Sequence, residues 1–139
     1  MAILCVNGIT WGWVEEWNLD QMAFRSLFPP GKAPFNPGWF LKPPFHTYLA
    51  YFLAILPLRA VGATLGLSAG IARSATLVAC RALTLILFAG SVAIVFRATE
   101  RSSGRFAARA VAAVWATSAG AIAFAHFLTA DVPVTFWML

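Results

Sequence analysis

Three stretches of this sequence are long and apolar enough to cross a lipid bilayer, and they restrict the fold more than any other feature. A spanning helix needs about 20 mainly apolar residues. The stretches that approach or reach this length are residues 44–66, 76–96 and 106–128. The chain is 60% hydrophobic and 11% charged, which leaves too little polar surface to coat a water-soluble protein. We therefore expect an all-α, polytopic bundle of transmembrane helices.

Shorter apolar runs lie at both ends of the sequence. Residues 1–14 begin apolar but have neither the length of a span nor the basic start of a signal peptide. We interpret them as part of a first span. Residues 131–139 open a further apolar run that stops at Leu139, and we interpret them as the start of the next span. The pattern predicts the amino-terminal part of a longer transmembrane domain.

The charge pattern restricts the partners. The formal net charge is +5, but the basic residues flank apolar runs and form no clustered face of the kind that nucleic-acid-binding proteins use. This pattern argues against nucleic acid and favours membrane lipids with anionic headgroups. Cys5 and Cys80 lie far apart in apolar sequence without the spacing of metal ligands, so we interpret them as small buried apolar residues.

The orientation in the membrane is a point on which the sequence gives conflicting indications. Residues 97–109 contain four arginines and one glutamate and are typical of a charged turn between helices. The positive-inside tendency puts this turn in the cytoplasm, whereas full crossings after a non-cytoplasmic first loop put it outside. Either the 44–66 stretch, interrupted by Pro57 and Arg59, does not cross simply, or the charge tendency is violated locally.

Residues 15–43 form a long polar, aromatic and proline-rich first loop. Amphipathic rings favour the headgroup level of a membrane, and the rings at the borders of this loop are Trp11, Trp13, Trp17, Trp39 and Phe40. Asn18 is placed to cap a short helix, with Gln21 three residues on as in a capping box. The apolar side of that helix would lie on the bilayer. We expect a loop with short interfacial helices at the membrane surface.

Two charged residues of the loop are candidates for chemistry, each with a structural alternative. Asp20 would lie in the first turn of the short helix, where a carboxylate either stabilises the positive helix end or serves as a general base at the bilayer surface. Lys42 precedes Pro43 and Pro44, which suit a first helical turn. It would provide an anion site with the helix end, or simply extend its ammonium group to the membrane edge.

Further polar residues flank the apolar spans. His46 and Tyr48, in the first turns after Lys42, could bind a sugar or phosphate, or act as a buried histidine and an interfacial tyrosine. His126 and Asp131 form an ionisable pair at the end of a span, where such groups are rare, although Asp131 would also suit a helix cap. Other charged residues have weaker roles: Glu15 and Glu16 could help to hold a divalent cation, and Arg73 and Arg81 would anchor or pair.

The order of these motifs resembles the GT-C membrane glycosyltransferases. The matching features are an aspartate in the first loop, the segment KPPFHTYL at residues 42–49, and HFLTADVPVTF at residues 126–136. The branch that they resemble is the protein mannosyltransferase and aminoarabinose transferase group, which are phospholipid carrier-dependent glycosyltransferases. The resemblance covers nearly the whole chain but only the amino-terminal part of that fold.

The resemblance implies a function and a location. A polyprenyl-phosphate sugar would be the donor, Asp20 the base that activates the acceptor, and Lys42 a contact to the donor phosphate. Asp131 matches a recurring acidic position. A multi-pass protein of the cell membrane, in bacteria the inner membrane, is implied. Gln21 departs from the glutamate that commonly follows the loop aspartate, which weakens the case for a metal-binding pair.

Two other functions stay open at this level. A small non-enzymatic membrane scaffold or assembly subunit would keep the lysine and the helix-end anion site without needing a base. A transporter is a third candidate, since broken helices and charges at membrane depth occur there as well. Neither the sugar, the acceptor nor any need for metal follows from the sequence.

Overall fold

A computed structural model describes residues 44–125 and 131–139, and within these ranges the protein is helical, with short turns and no strand. The elements are α1 (Pro44–Ala50), a π-helical turn (Tyr51–Ile55), α2 (Leu56–Thr64), α3 (Ala69–Thr117), α4 (Ala119–Ala125) and α5 (Asp131–Met138). The all-α prediction is therefore confirmed for this part of the chain. The predicted partial span at 1–14 and the first loop at 15–43 lie outside it.

α1, the π-helical turn and α2 form one continuous helical segment. Ala50, Ile55 and Leu56, at the junctions, all have right-handed helical dihedral angles. The wider turn lies directly before Pro57, whose ring removes one backbone donor and crowds the carbonyl four residues earlier. A π-helical turn relieves such a conflict without breaking the helix. Residues 44–64 of the predicted 44–66 span are therefore helical.

A compact turn reverses the chain after α2. The Leu67 amide donates to the Gly62 carbonyl at 2.9 Å and the Gly66 amide to the Ala63 carbonyl at 3.4 Å, which is the pattern of a Schellman motif. Gly66 has a φ of 62°, a conformation that glycine adopts without steric cost. Ser68 then caps α3 by accepting a hydrogen bond from the Ile71 amide. α3 consequently runs antiparallel to the α1–α2 segment.

α3 is itself folded into a hairpin at Gly104, whose φ of 85° and ψ of 169° are not helical. We call residues 69–103 the first arm and residues 105–117 the second arm. The Trp115 indole donates to the Ser91 hydroxyl at 3.1 Å, although a straight helix would separate these residues by about 36 Å. The two arms therefore pack against each other. The turn predicted over 97–109 is narrower than expected, because the helical conformation is lost only at Gly104.

Two small apolar clusters join the helices. In the first, Cys80 of α3 packs with the buried residues Ala50, Ala54 and Ile55, and Val134 of α5 lies against them. In the second, Phe88 of α3 packs with Val132 of α5. Phe136 fits so closely that a Cβ atom at Gly90 would lie 2.7 Å from its ring. Small residues at these contacts let the helices approach closely, and Cys80 is buried, as its apolar surroundings predict.

α3 is long and apolar enough to cross a membrane, judged by length and composition. Its most apolar window has a mean hydropathy of 2.2, and only 33% of that window is buried. The core helix of a water-soluble protein would be mostly buried. The exposed apolar face of α3 is consistent with association with a membrane.

Candidate functional site

The predicted site residues divide into those that the structure describes and those that it does not. Asp20, Lys42, Glu15, Glu16 and His126 lie outside the described residues. His46 and Tyr48 are in α1, whose first described residue, Pro44, is already helical. Asp131 is the first residue of α5, and Pro133 follows within its first turn. The described part of the site is therefore the junction of α1 and α5.

His46 is the most unusual residue of this junction. Its side chain is 2% exposed, and neither Nδ1 nor Nε2 has a hydrogen-bond partner among the described residues. His46 precedes Ala50 by one helical turn, so it lies on the same side of α1 as Ala50, which packs with Cys80 of α3. Leaving a buried polar group without a partner costs about 1–3 kcal/mol. An imidazole kept in such a place is explained if a ligand supplies the missing hydrogen bond.

Tyr48, the second predicted residue of α1, is in a different environment. It is partly exposed and follows His46 by half a turn, which puts it on another side of the helix. The structure therefore does not place the two predicted side chains on one face. Of these two residues, His46 is the buried one.

The structure brings α1, which contains His46 and Tyr48, next to α5, which begins at Asp131. The ring of Phe45, three residues after Lys42, meets the ring of Trp137 edge to face, with centroids 5.1 Å apart. Val134 packs on the Ala50 cluster one turn further along α1. α1 and α5 are thus neighbours, although the sequence separates Lys42 and Asp131 by three predicted spans. This adjacency is required if both elements contribute to one site.

Arg81 is a buried cation whose position the sequence interpretation missed. Its side chain is 2% exposed, and it follows Cys80, which lies against α1 and the π-helical turn. The sequence predicted that Arg81, close to the start of the second span, would anchor or pair. Its location within an otherwise apolar run was the available signal, because charges inside apolar spans usually face the interior of a bundle and mark functional paths.

Hydroxyl groups follow the same buried face of α3. Thr76 and Thr84 donate hydrogen bonds to the backbone carbonyls of Ala72 and Cys80, at 2.7 Å and 3.2 Å. Each hydroxyl group therefore uses its one donor within α3 itself. Of the buried polar side chains on this interface, His46 is distinguished by having both of its polar atoms unsatisfied.

A separate cavity of about 190 Å³ lies between the arms of α3 and α5. Its lining residues are Phe88, Ser91, Trp115, Ser118, Ala121, Val132 and Thr135. The Ser91 hydroxyl there already donates to the Phe88 carbonyl at 2.7 Å and accepts from Trp115. Typical ligand pockets measure about 300–1,000 Å³. This cavity is smaller and contains none of the predicted site residues.

A metal site is not formed by the described residues: no three His, Cys, Asp or Glu side chains of 44–125 and 131–139 are grouped as metal ligands would be. The glutamates that could help to hold a divalent cation, Glu15 and Glu16, are outside these ranges.

Comparison with known proteins gives no further guide: the chain matches no protein-family model, no curated protein and no solved structure. The function is accordingly argued from the residues and their packing.

Replacing His46 by leucine is expected to raise the free energy of unfolding by up to about 1–3 kcal/mol, because the change removes an unsatisfied buried polar group. His46→Asn, which keeps a buried polar group, should give no such gain. Thermal unfolding of the protein in detergent, with each variant at equal concentration, measures the difference. A fall in stability for His46→Leu would show that the imidazole has a structural partner.

Proposed function

We propose that this chain is part of an integral membrane glycosyltransferase that moves a sugar from a polyprenyl-phosphate donor to an acceptor at the non-cytoplasmic membrane face. The sequence supports this proposal because the Asp20 loop, the segment KPPFHTYL and the segment HFLTADVPVTF follow one another in the order that resembles the GT-C glycosyltransferases. The main structural support is the buried, unsatisfied imidazole of His46, which follows Lys42 by four residues in the sequence and belongs to α1, the helix whose Phe45 ring meets Trp137 of α5. A phosphate or sugar oxygen at this place would satisfy it.

The proposal includes a multi-pass arrangement in a cell membrane, in bacteria the inner membrane. It is supported by the antiparallel packing of α1–α2 on the first arm of α3 and by the fold of α3 at Gly104. Large apolar side chains face outwards from these helices, among them Phe52, Leu53, Leu56, Ile86 and Val114. Lipid would cover such side chains without the cost that water imposes.

The proposed reaction is a single displacement at the anomeric carbon. Asp20 accepts the proton of the acceptor hydroxyl as its oxygen forms a bond to the anomeric carbon. The bond from that carbon to the phosphate oxygen breaks at the same time, and its electron pair leaves with the phosphate. Lys42 and the amino end of α1 stabilise the charge on the departing phosphate. Attack from the opposite face inverts the configuration of the sugar.

The remaining residues are assigned to substrate binding. His46 donates a hydrogen bond to the phosphate or the sugar from the buried side of α1. Tyr48, which is partly exposed, binds the same substrate from another side of α1. Asp131, at the start of α5, and His126, which lies outside the described residues, contact the donor or the acceptor. Holding both reactants in line reduces the entropic part of the barrier.

A donor panel tests the proposal directly. Membranes containing the full-length protein are given matched sugars on polyprenyl phosphate and on nucleotide carriers, and product formation is followed by mass spectrometry. We expect transfer from one lipid-linked sugar, inverted at the anomeric carbon by NMR, and none from nucleotide sugars. Folded protein that transfers sugar from no lipid-linked donor would contradict the proposal and favour a non-enzymatic scaffold.

A further inference from the structure

The hairpin end of α3 presents an exposed group of arginines, which we call the arginine tip (residues 97–109). Arg97 and Arg101 lie at the end of the first arm, and Arg105 and Arg109 at the start of the second, each four residues from the next. All four side chains are exposed. The acidic residue of the tip is Glu100, which accepts a hydrogen bond from Arg105 Nε at 3.0 Å.

Three arginines of the tip have no internal partner. Within the described part of the chain, Arg97, Arg101 and Arg109 form no hydrogen bond or ion pair. Because the Arg105–Glu100 pair is neutral as a whole, these three residues leave an uncompensated positive charge at one end of an apolar hairpin. The planar guanidinium group offers paired donors that match the oxygens of a phosphate. The tip is therefore suited to bind phosphate-containing anions.

Phe106 indicates that the anion belongs to a lipid. It follows Arg105 in the second arm, and its ring is 89% exposed. An exposed ring beside arginines matches the boundary between headgroups and acyl chains, where the ring enters the chains and the cations stay at the phosphates. A soluble acidic protein or a nucleic acid would use the charges but would not require an isolated aromatic ring next to two apolar arms.

The tip lies at the same end of the helical pair as the start of α1. Gly62 lies beside Ala72, and Ile55 packs near Cys80. Because the two helices are antiparallel, residues earlier in α2 and α1 lie beside residues later in α3. By this pairing, Pro44 lies at the height of residues near 90 in the first arm. The arm continues to Gly104, about 20 Å further at 1.5 Å per residue. The arginine tip projects beyond the level at which the first loop enters α1.

We infer that the arginine tip binds the headgroups of anionic phospholipids, with its free guanidinium groups on the phosphodiester and Phe106 among the upper acyl chains. This site is separate from the α1–α5 junction and does not depend on the proposed transfer reaction. It also gives a reason for arginines on the side of the first loop, which the positive-inside tendency disfavours if that loop is non-cytoplasmic.

Short-chain lipids test the inference with the full-length protein in one detergent. Dihexanoyl phosphatidylglycerol is the anionic probe, dihexanoyl phosphatidylcholine the neutral one, and inorganic phosphate the free anion; thermophoresis gives the dissociation constants. The test variant is Arg97→Gln with Arg101→Gln and Arg109→Gln. Arg59→Gln, an exposed arginine in α2, is the control. Each arginine removed near a surface should weaken binding about fivefold.

We expect phosphatidylglycerol to bind the wild-type protein more tightly than phosphatidylcholine does. The triple variant should lose that preference, with its affinity for phosphatidylglycerol reduced about 100-fold. Arg59→Gln should keep the preference. The single variant Arg101→Gln, with a loss of about fivefold, gives the same information if the triple variant does not fold. Equal binding of both lipids, an equal loss in Arg59→Gln, or tighter binding of inorganic phosphate than of the anionic lipid would overturn the inference.

Discussion

Replacing Asp20 by asparagine is expected to lower the rate of sugar transfer by about 10²–10⁴-fold, the usual contribution of a positioned general base. Asparagine has nearly the same size and can accept a hydrogen bond from the acceptor hydroxyl, but it cannot take up its proton. The loss should therefore appear in kcat and in kcat/KM alike. Initial rates with the full-length protein and the preferred lipid-linked donor measure it.

The neighbouring residue provides a matched control for this prediction. Gln21→Asn changes the size of an uncharged side chain in the short helix that the sequence predicts, and it should leave the transfer rate close to that of the wild type. Donor binding, measured without acceptor, should be similar in wild type and Asp20→Asn, since the proposed role of the aspartate is to act on the acceptor. If Asp20→Asn still transferred sugar at the wild-type rate, the assignment of the base would be wrong.

Replacing Gly104 by alanine is expected to destabilise the fold by about 1–3 kcal/mol. The φ of 85° and ψ of 169° at Gly104 belong to a region of backbone conformation that is essentially restricted to glycine. Nothing lies within 4 Å of a Cβ atom at this position, so the cost arises from the backbone and not from a clash. Chemical denaturation in detergent, followed by circular dichroism, measures the free energy of unfolding.

Gly70→Ala is the control for the hairpin. Gly70 lies in the first turn of the same helix, with open space around a Cβ atom and no positive φ. Alanine there should stabilise the helix by about 0.5–1 kcal/mol. If both substitutions changed the free energy of unfolding equally, the conformation at Gly104 would not control the reversal.

The helical content was predictable because it depends on composition and local pattern. Residues 44–66 are apolar with proline near the start and glycine at the end, and the described helices extend over 44–64. The arginines of 97–109 indicated a turn, but they did not show that a single residue makes it. Glycine is the residue that can take this conformation, and the sequence offered Gly104 without specifying that its neighbours stay helical.

The candidate site was predictable only as a set of residue types. His46 follows Lys42 by four residues, with Pro43 and Pro44 between them, and this pattern suggested ligand binding. Its lack of a hydrogen-bond partner among the described residues depends on how α1 packs in the tertiary structure. The contact between Phe45 and Trp137 joins residues far apart in the chain, and local periodicity contains no information about it. The burial of Arg81 likewise depends on tertiary packing, since the same residue could have extended to a surface.

The π-helical turn between α1 and α2 has a consequence for the rotational phase of the helix. Such a turn contains one residue more than an α-helical turn, and each α-helical residue advances the rotation by about 100°. Tyr51–Ile55 therefore sets the direction in which every side chain of α1 points relative to α2. With a regular α-helical turn here, His46 and the other residues of α1 would be rotated relative to α2. Pro57, eleven positions after His46, thus helps to set the direction in which the buried imidazole points.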